Sequence, residues 1–372
     1  MNAAPHDPPQ QPPDWSRVRR LLVVRLDNLG DVIMTGPALR ALRAHLPRLH
    51  ITLLASPGGA PAAELLPWID DLRVCRALWQ DLGRLALDPA REAALIADLR
   101  RGEFDLALIL TSFSQSPHPP ALACALAGIP ARLGESRERG RALTFALASA
   151  PDDLHQVDRN LRLLRAAGVP AGDARLEIQL SDRARARARD LLAACGGHYF
   201  VLNPFASCPA RTYDPVRLAR AARLLSQRTG LTPVLCGAAR DRPRAEGLLS
   251  ELGPGAEDLL GATDLPTYAA VIAGARLVLT PNTAALHLAD ALGVPQLVLY
   301  GGTELPSQWA PRASPHRLLR RDTACSPCYR FECPYHHECL DFTPDEVAAA
   351  ALTVLDAPAP NPPTRGDSSS TI

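Results

Sequence analysis

Asp31 closes the segment Arg25-Leu26-Asp27-Asn28-Leu29-Gly30-Asp31, set between an apolar run and an amphipathic stretch that holds Pro37. A carboxylate at such a strand-to-helix turn can take a proton from a substrate hydroxyl, because a general base needs reach and a free lone pair. The same Asp can instead cap the helix by accepting orphan N–H groups, and the loop alone leaves both readings open. Gly30 lets the chain turn tightly. The segment is not G-x-G-x-x-G, so the dinucleotide fingerprint is absent from it.

A second strand-turn-helix pattern is Leu279-Thr280-Pro281-Asn282-Thr283-Ala284-Ala285-Leu286-His287. Asn282 or Thr283 can cap the helix, and the free N–H groups behind the cap suit a phosphate or diphosphate. His287, one turn inside, either faces a ligand or is a satisfied core histidine. The glycine loop Tyr300-Gly301-Gly302-Thr303-Glu304 follows the next apolar run, and its backbone can approach a ligand closely. Arg211 lies among small and turn residues after another apolar run. It reads as a phosphate clamp or as a solvated surface arginine.

Cys325, Cys328, Cys333 and Cys339, beside His336 and His337, form the clustered cysteines. Four thiols at this density fit a structural zinc site in ligand count. Their spacing matches no common finger, so disulfides and free thiols stay open. Four Cys would close the metal's shell, so any ion there is expected to be structural, and the segment remote from the chemistry. Cys75, Cys124, Cys195, Cys208 and Cys236 are scattered and read as small buried hydrophobes.

Composition removes several classes. Forty basic against 39 acidic residues leave a formal charge of +1, so no global basic field favours nucleic acid. All the basic residues are arginine, which excludes Schiff-base and P-loop lysine chemistry. No Asp-x-Asp motif offers a magnesium site for a diphosphate. No apolar run reaches the roughly 18–20 residues of a membrane span, and the Pro-rich start lacks a signal-peptide pattern. A reducing, cytoplasmic setting is the expectation.

These residues need elements to hold them. Apolar runs at 21–25, 51–55, 106–110, 199–203, 232–236, 276–280 and 296–300 read as buried parallel strands. Helical patterns fall at about 36–46, 91–101, 119–127, 158–168, 182–195, 214–229, 242–252, 266–273, 283–292 and 344–356. The rhythm restarts after residue 175. The fold class expected is α/β: two Rossmann-like, doubly wound parallel-sheet domains facing a cleft, over 17–175 and 176–340. A return helix at 341–356 and disordered tails at 1–16 and 357–372 complete the expectation.

Taken together, the motifs resemble glycosyltransferase family 9, the ADP-heptose:lipopolysaccharide heptosyltransferases and their relatives. The segment LLVVRLDNLGDVIMTGPALRAL (21–42) is similar to the family's opening strand, Leu-Gly-Asp turn and helix. The segment 264–311, ending in Gly-x-Thr-acidic and Trp-x-Pro, is similar to its donor block. The resemblance implies a GT-B fold and an inverting, metal-independent transfer of a sugar, heptose from ADP-heptose above all, to a lipopolysaccharide-core or other glycan acceptor. It implies a nucleotide-sugar donor, a glycan or lipid-linked acceptor, peripheral membrane contact at most, and no catalytic cofactor. Asp31 would be the general base. Arg211, Asn282, Thr283, Ala284, His287, Gly302 and Thr303 would bind the donor. Asn282 stands for the family's Asp, Ala284 for Gly, Arg211 for Lys and Tyr213 for Trp, so a carboxylate near the donor is missing. A nucleotide-sugar epimerase of the same fold and a non-catalytic nucleotide-sugar-binding protein are the rival readings.

Overall fold

The computed structural model describes residues 11–357 apart from Leu82 and Arg139. Its strands are β1 (Arg20–Arg25), β2 (His50–Ala55), β3 (Asp71–Val74), β4 (Leu106–Ile109), β5 (Ala131–Ser136), β6 (Phe145–Ala148), β7 (Tyr199–Leu202), β8 (Thr232–Gly237), β9 (Glu257–Leu260), β10 (Val278–Pro281), β11 (Gln296–Leu299) and β12 (His316–Leu319). The helices are α1 (Leu29–Ile33), α2 (Gly36–His45), α3 (Pro89–Arg101), α4 (His118–Leu126), α5 (Gln156–Ala166), α6 (Asp182–Leu191), α7 (Pro215–Thr229), α8 (Glu246–Leu252), α9 (Leu265–Ala273), α10 (Ala284–Leu292), α11 (Pro306–Trp309) and α12 (Pro344–Leu355).

The strands form two parallel six-stranded sheets, in the orders β3-β2-β1-β4-β5-β6 and β12-β11-β10-β7-β8-β9. Numbered within its own half, the second sheet repeats the order of the first. Both are Rossmann-like, with the order reversing between β1 and β4 and between β7 and β10. Ligands of such sheets bind beyond the strand carboxyl ends at these switch points. The loops carrying Asp31, Arg211 and Asn282 leave β1, β7 and β10, so the candidate residues stand at both switch points. The expected fold class is the observed one.

The central strands β1, β2, β4, β7, β8, β10 and β11 are the apolar runs of the sequence. They are covered on both faces and need no polar alternation. The strands absent from the expectation, β3, β5, β6, β9 and β12, lie at or next to the sheet edges. β3, β9 and β12 are partly exposed and bear charged residues, as in Asp71-Leu72-Arg73-Val74, so they carry no continuous apolar signal, and β6 is only four residues long.

Two expectations are corrected. Residues 11–16 were assigned to a disordered tail, but Trp15 is buried and its Nε1 donates to the Ala167 carbonyl at 2.6 Å. A large indole finding a partner outweighs the surrounding prolines. The rest of that tail and residues 358–372 lie outside the described residues. The last helix does not return to the first sheet. Val347, Ala350, Ala351 and Val354 of α12 pack with Leu218, Ala222 and Leu299 in the core of the second domain. A continuous apolar cluster runs from Leu21 and Ile33 in the first domain to Val271 and Leu288 in the second. Among the described residues no helix is long and apolar enough to cross a membrane.

Candidate active site

β1 ends on Arg25, a cation with no exposed surface. Such a charge needs paired and hydrogen-bonded partners. Its Nε lies 2.9 Å from Asp27 Oδ2, and its NH2 lies 3.0 Å from Asp31 Oδ1 and donates to Ser112 Oγ at 2.8 Å. Asp27 also accepts from Gln80 and Gln115, and burial pushes its pKa up against the pull of Arg25. Asp31 Oδ2 accepts from the Asn28 N–H at 3.2 Å, closing the first turn of α1. The cap and base readings are therefore compatible: one oxygen caps, both are oriented, and the side chain keeps 19% of its surface. Arg25 was missed as a site residue. The available signal was a charged residue closing the apolar run Leu21–Val24, with an Asp two positions on.

Arg211 is not a solvated surface residue. Its NH2 lies 2.5 Å from Glu304 Oε1 and its Nε donates to Thr303 Oγ1 at 3.1 Å. Glu304 Oε2 accepts from Asn282 Nδ2 at 2.5 Å. The loops after β7, β10 and β11 thus meet at one carboxylate. Asn282, where the resemblance implies an Asp, donates to the Glu304 carboxylate instead of adding a second one beside it. Burial raises the Glu304 pKa and the charge of Asp31 raises it further, while Arg211 and Asn282 oppose this. Asp31 and Glu304, on loops of different sheets, are therefore close enough for the charge of one to act on the other. Thr283 is the N-cap of α10 and makes no side-chain cap bond, so the first N–H groups of Ala284 and Ala285 retain donor capacity at the site.

His287 is buried between the domains. Its ring lies against Gly30, and burial, reinforced by nearby His155, lowers its pKa to about 4. The imidazole is neutral near pH 7. The structure places it beside Gly30, the residue before Asp31. His155 Nε2 donates to the Ala310 carbonyl at 3.1 Å, Gln308 Nε2 to the Asp152 carbonyl at 2.7 Å, and Arg312 pairs with Asp158 at 2.9 Å. These contacts fix the two switch points relative to each other.

The cysteine segment corrects the expectation of remoteness. The Cys328 and Tyr329 N–H groups donate to the carbonyls of Gly302 and Thr303 at 3.0 and 2.9 Å, and Ser326 Oγ donates to Gly302 at 3.2 Å. The glycine loop 301–304 therefore lies directly on this segment. Tyr329 also packs on Phe113 of the first domain, with ring centroids 5.3 Å apart. Cys325, Cys328, Cys333 and Cys339 line one small cavity of about 20 Å³ together with Gly302 and Thr303. All four are free thiols, and a Cβ at Gly302 would lie 3.2 Å from Cys339 Cβ, so the loop sits close on this cysteine. Among the described residues no three His, Cys, Asp or Glu side chains form a metal-binding group, so the zinc shell expected here is not assembled.

Residues 93–338 match the family model described as glycosyltransferase family 9 (heptosyltransferase). The chain belongs to this family. It is a glycosyltransferase. Lipopolysaccharide heptosyltransferase 2 of Salmonella typhimurium is 24% identical over 360 residues, covering 90% of this chain and 98% of that protein. Among solved structures, a family 9 glycosyltransferase from Veillonella parvula superposes with a TM-score of 0.74 at 21% identity, over 91% of this chain and 97% of the other. The ADP-heptose lipopolysaccharide heptosyltransferase II of E. coli gives 0.71 at 23% identity, over 90% and 98%. Those two likenesses establish the GT-B fold of this family 9 chain.

Proposed function

We propose that this glycosyltransferase moves heptose from ADP-heptose to a lipopolysaccharide-core or related glycan acceptor, inverting the anomeric centre and using no metal in the transfer. The observation that carries the reading is the placement of Asp31 opposite the Arg211–Glu304 pair, each at the switch point of its own sheet. The acceptor side is residues 17–175 and the donor side 176–340. The relatives named as heptosyltransferases supply the sugar and the acceptor class.

In this mechanism the acceptor hydroxyl lies against Asp31. Its oxygen attacks the anomeric carbon while its proton passes to the carboxylate, which Arg25 and the Asn28 N–H hold in place. The bond from the anomeric carbon to the diphosphate oxygen breaks, and ADP leaves. Arg211 and the N–H groups at Thr283, Ala284 and Ala285 meet the negative charge that develops on the leaving oxygen. Arg211 offers a fork where a lysine would offer a point charge, which suits two phosphate oxygens. The neutral His287 holds α1 against α10 and keeps water from between them. We place the reaction in the cytoplasm, with at most peripheral contact to a membrane carrying a lipid-linked acceptor.

The test is ADP release from ADP-heptose in EDTA, with and without a lipopolysaccharide-core acceptor. Acceptor-dependent release with heptosylated product is expected. Sugar isomerisation without acceptor would replace the reading by an epimerase, and binding without turnover by a nucleotide-sugar-binding protein.

A further inference from the structure

Glu304 raises a question that the transfer mechanism leaves open. Arg211 is the cation on the donor side, yet in the free protein a carboxylate 2.5 Å away already neutralises it. The remaining guanidinium contact, Nε to Thr303 Oγ1, sets its plane. A diphosphate that takes Arg211 must displace Glu304 or share the cation with it. Either way it brings negative charge beside a carboxylate that keeps only 14% of its side-chain surface. The acceptor side adds another negative charge, because Asp31 already acts on Glu304.

We propose that Glu304 is a proton-coupled gate on the donor site: it neutralises Arg211 in the free enzyme and takes one proton from solvent when a donor diphosphate displaces it. This rests on the donor reading given above. With Asp31 already paired to Arg25, Glu304 and a diphosphate cannot both keep their full charge beside the single guanidinium of Arg211 in a low-dielectric corner. Asp31 is bound to Arg25 and the Asn28 N–H and is partly exposed, so a donor that takes Arg211 leaves its pairing untouched. The diphosphate of a sugar nucleotide is a diester with no proton that titrates near neutral pH. Glu304 remains. It is buried, its pKa is already raised, and it loses its ion pair at that moment. The other titratable groups near it are Cys208 and Tyr300. Burial raises both, so both stay neutral around pH 7. The Asn282 amide stays beside the protonated carboxyl, whose new O–H can donate to a phosphate oxygen. One proton moves from buffer to Glu304 and no covalent bond changes.

The experiment is calorimetric titration of the full chain with ADP-heptose in two buffers of matched pH and different ionisation enthalpy. The expected result is net proton uptake approaching one per donor bound. Donor affinity should also weaken with rising pH, by up to about tenfold per unit. Glu304→Gln carries no titratable group there, so its uptake should vanish and its affinity should be flat with pH and tighter than wild type near pH 8. Binding by wild type without proton uptake, or a variant with the wild-type pH dependence, overturns the gate while leaving the donor reading intact. If ADP-heptose does not bind the wild type, both fall. The wild-type measurement stands even if the variant does not fold.

Discussion

The imidazole of His287 rests on Gly30 so closely that a Cβ added at Gly30 would lie 2.6 Å from its Cδ2. α1, which carries Asp31, is in this way seated on α10, whose first turn is the proposed donor-phosphate site. The glycine is needed for close approach and not for an unusual backbone angle. His287 cannot swing aside, being buried with His155 nearby. Gly30→Ala should therefore cost about 1–3 kcal/mol, as overpacking does. Turnover should drop by roughly 10²-fold if the displacement reaches 1 Å at Asp31. Thermal melting and kcat check this; a variant with wild-type kcat would remove α10 from the positioning of the base.

The same burial makes His287 a source of acid sensitivity. Its pKa falls from 6.5 to about 4. Between these values the unfolded chain binds the extra proton, so the contribution of His287 to stability is full above about pH 6.5. It is lost progressively as pH falls towards 4, at up to about 1.4 kcal/mol per pH unit. His287→Gln should flatten the stability profile in that window relative to wild type. Taking the difference between the two proteins cancels the carboxylates that titrate nearby. Parallel profiles in denaturant titrations from pH 4 to 6.5 would assign the acid sensitivity elsewhere.

Arg25 holds two carboxylates and has no contact with water. Arg25→Met should destabilise by about 3–5 kcal/mol, because it leaves Asp27 buried and unpaired. Adding Asp27→Asn should recover part of the loss, since the orphaned charge then disappears. Chemical denaturation of the single and double variants measures both steps. A double variant as unstable as the single one would show that the cost lies in packing.

The sequence and the structure agree best where one physical signal dominates. The central strands declare themselves because burial on both faces demands a continuous apolar run, and Pro89, Pro215 and Pro344 stand at the first residue of helices the pattern located within about two residues, while the short helix at Pro306 was not expected. Asp31 and the 282–287 turn are legible because a strand-to-helix switch point has a local pattern. Glu304 was visible as part of a glycine loop but not as the partner of Arg211, since 93 residues separate them. The same holds for Asp290, whose Oδ1 collects the N–H groups of Arg312, Ala313 and Ser314. Long-range pairs are set by which loops the sheet order brings together, and no local spacing encodes that order.

Asp31→Asn separates the chemistry from the binding. The amide cannot accept the acceptor proton, while Arg25 remains paired with Asp27. Turnover should fall by about 10²–10⁴-fold, the usual cost of losing a general base. The affinity for ADP-heptose should stay within about twofold, an expectation that rests on the phosphate contacts being made by Arg211 and α10. A variant retaining more than about a tenth of wild-type kcat would return Asp31 to a capping role alone.

The thiol segment tests how far the donor loop depends on what lies beneath it. Gly302 accepts from Cys328 and Ser326, so its carbonyl is committed to this segment. A Cβ at Gly302 would meet Ser326 Oγ at 3.1 Å and Cys339 Cβ at 3.2 Å, so there is little slack. The cavity between the four sulfurs is only about 20 Å³. Cys339→Met overfills it and should cost about 1–3 kcal/mol. The displaced Gly302 would carry Thr303 with it, and Thr303 sets the plane of the Arg211 guanidinium. Donor affinity should then weaken together with the melting temperature. Cys339→Ala, which empties space and pushes on nothing, should lower the melting temperature with a smaller change in affinity. Calorimetry on both folded variants decides. If Cys339→Met melts early but binds ADP-heptose as tightly as wild type, the segment is a clip for the fold and the donor loop holds its shape without it.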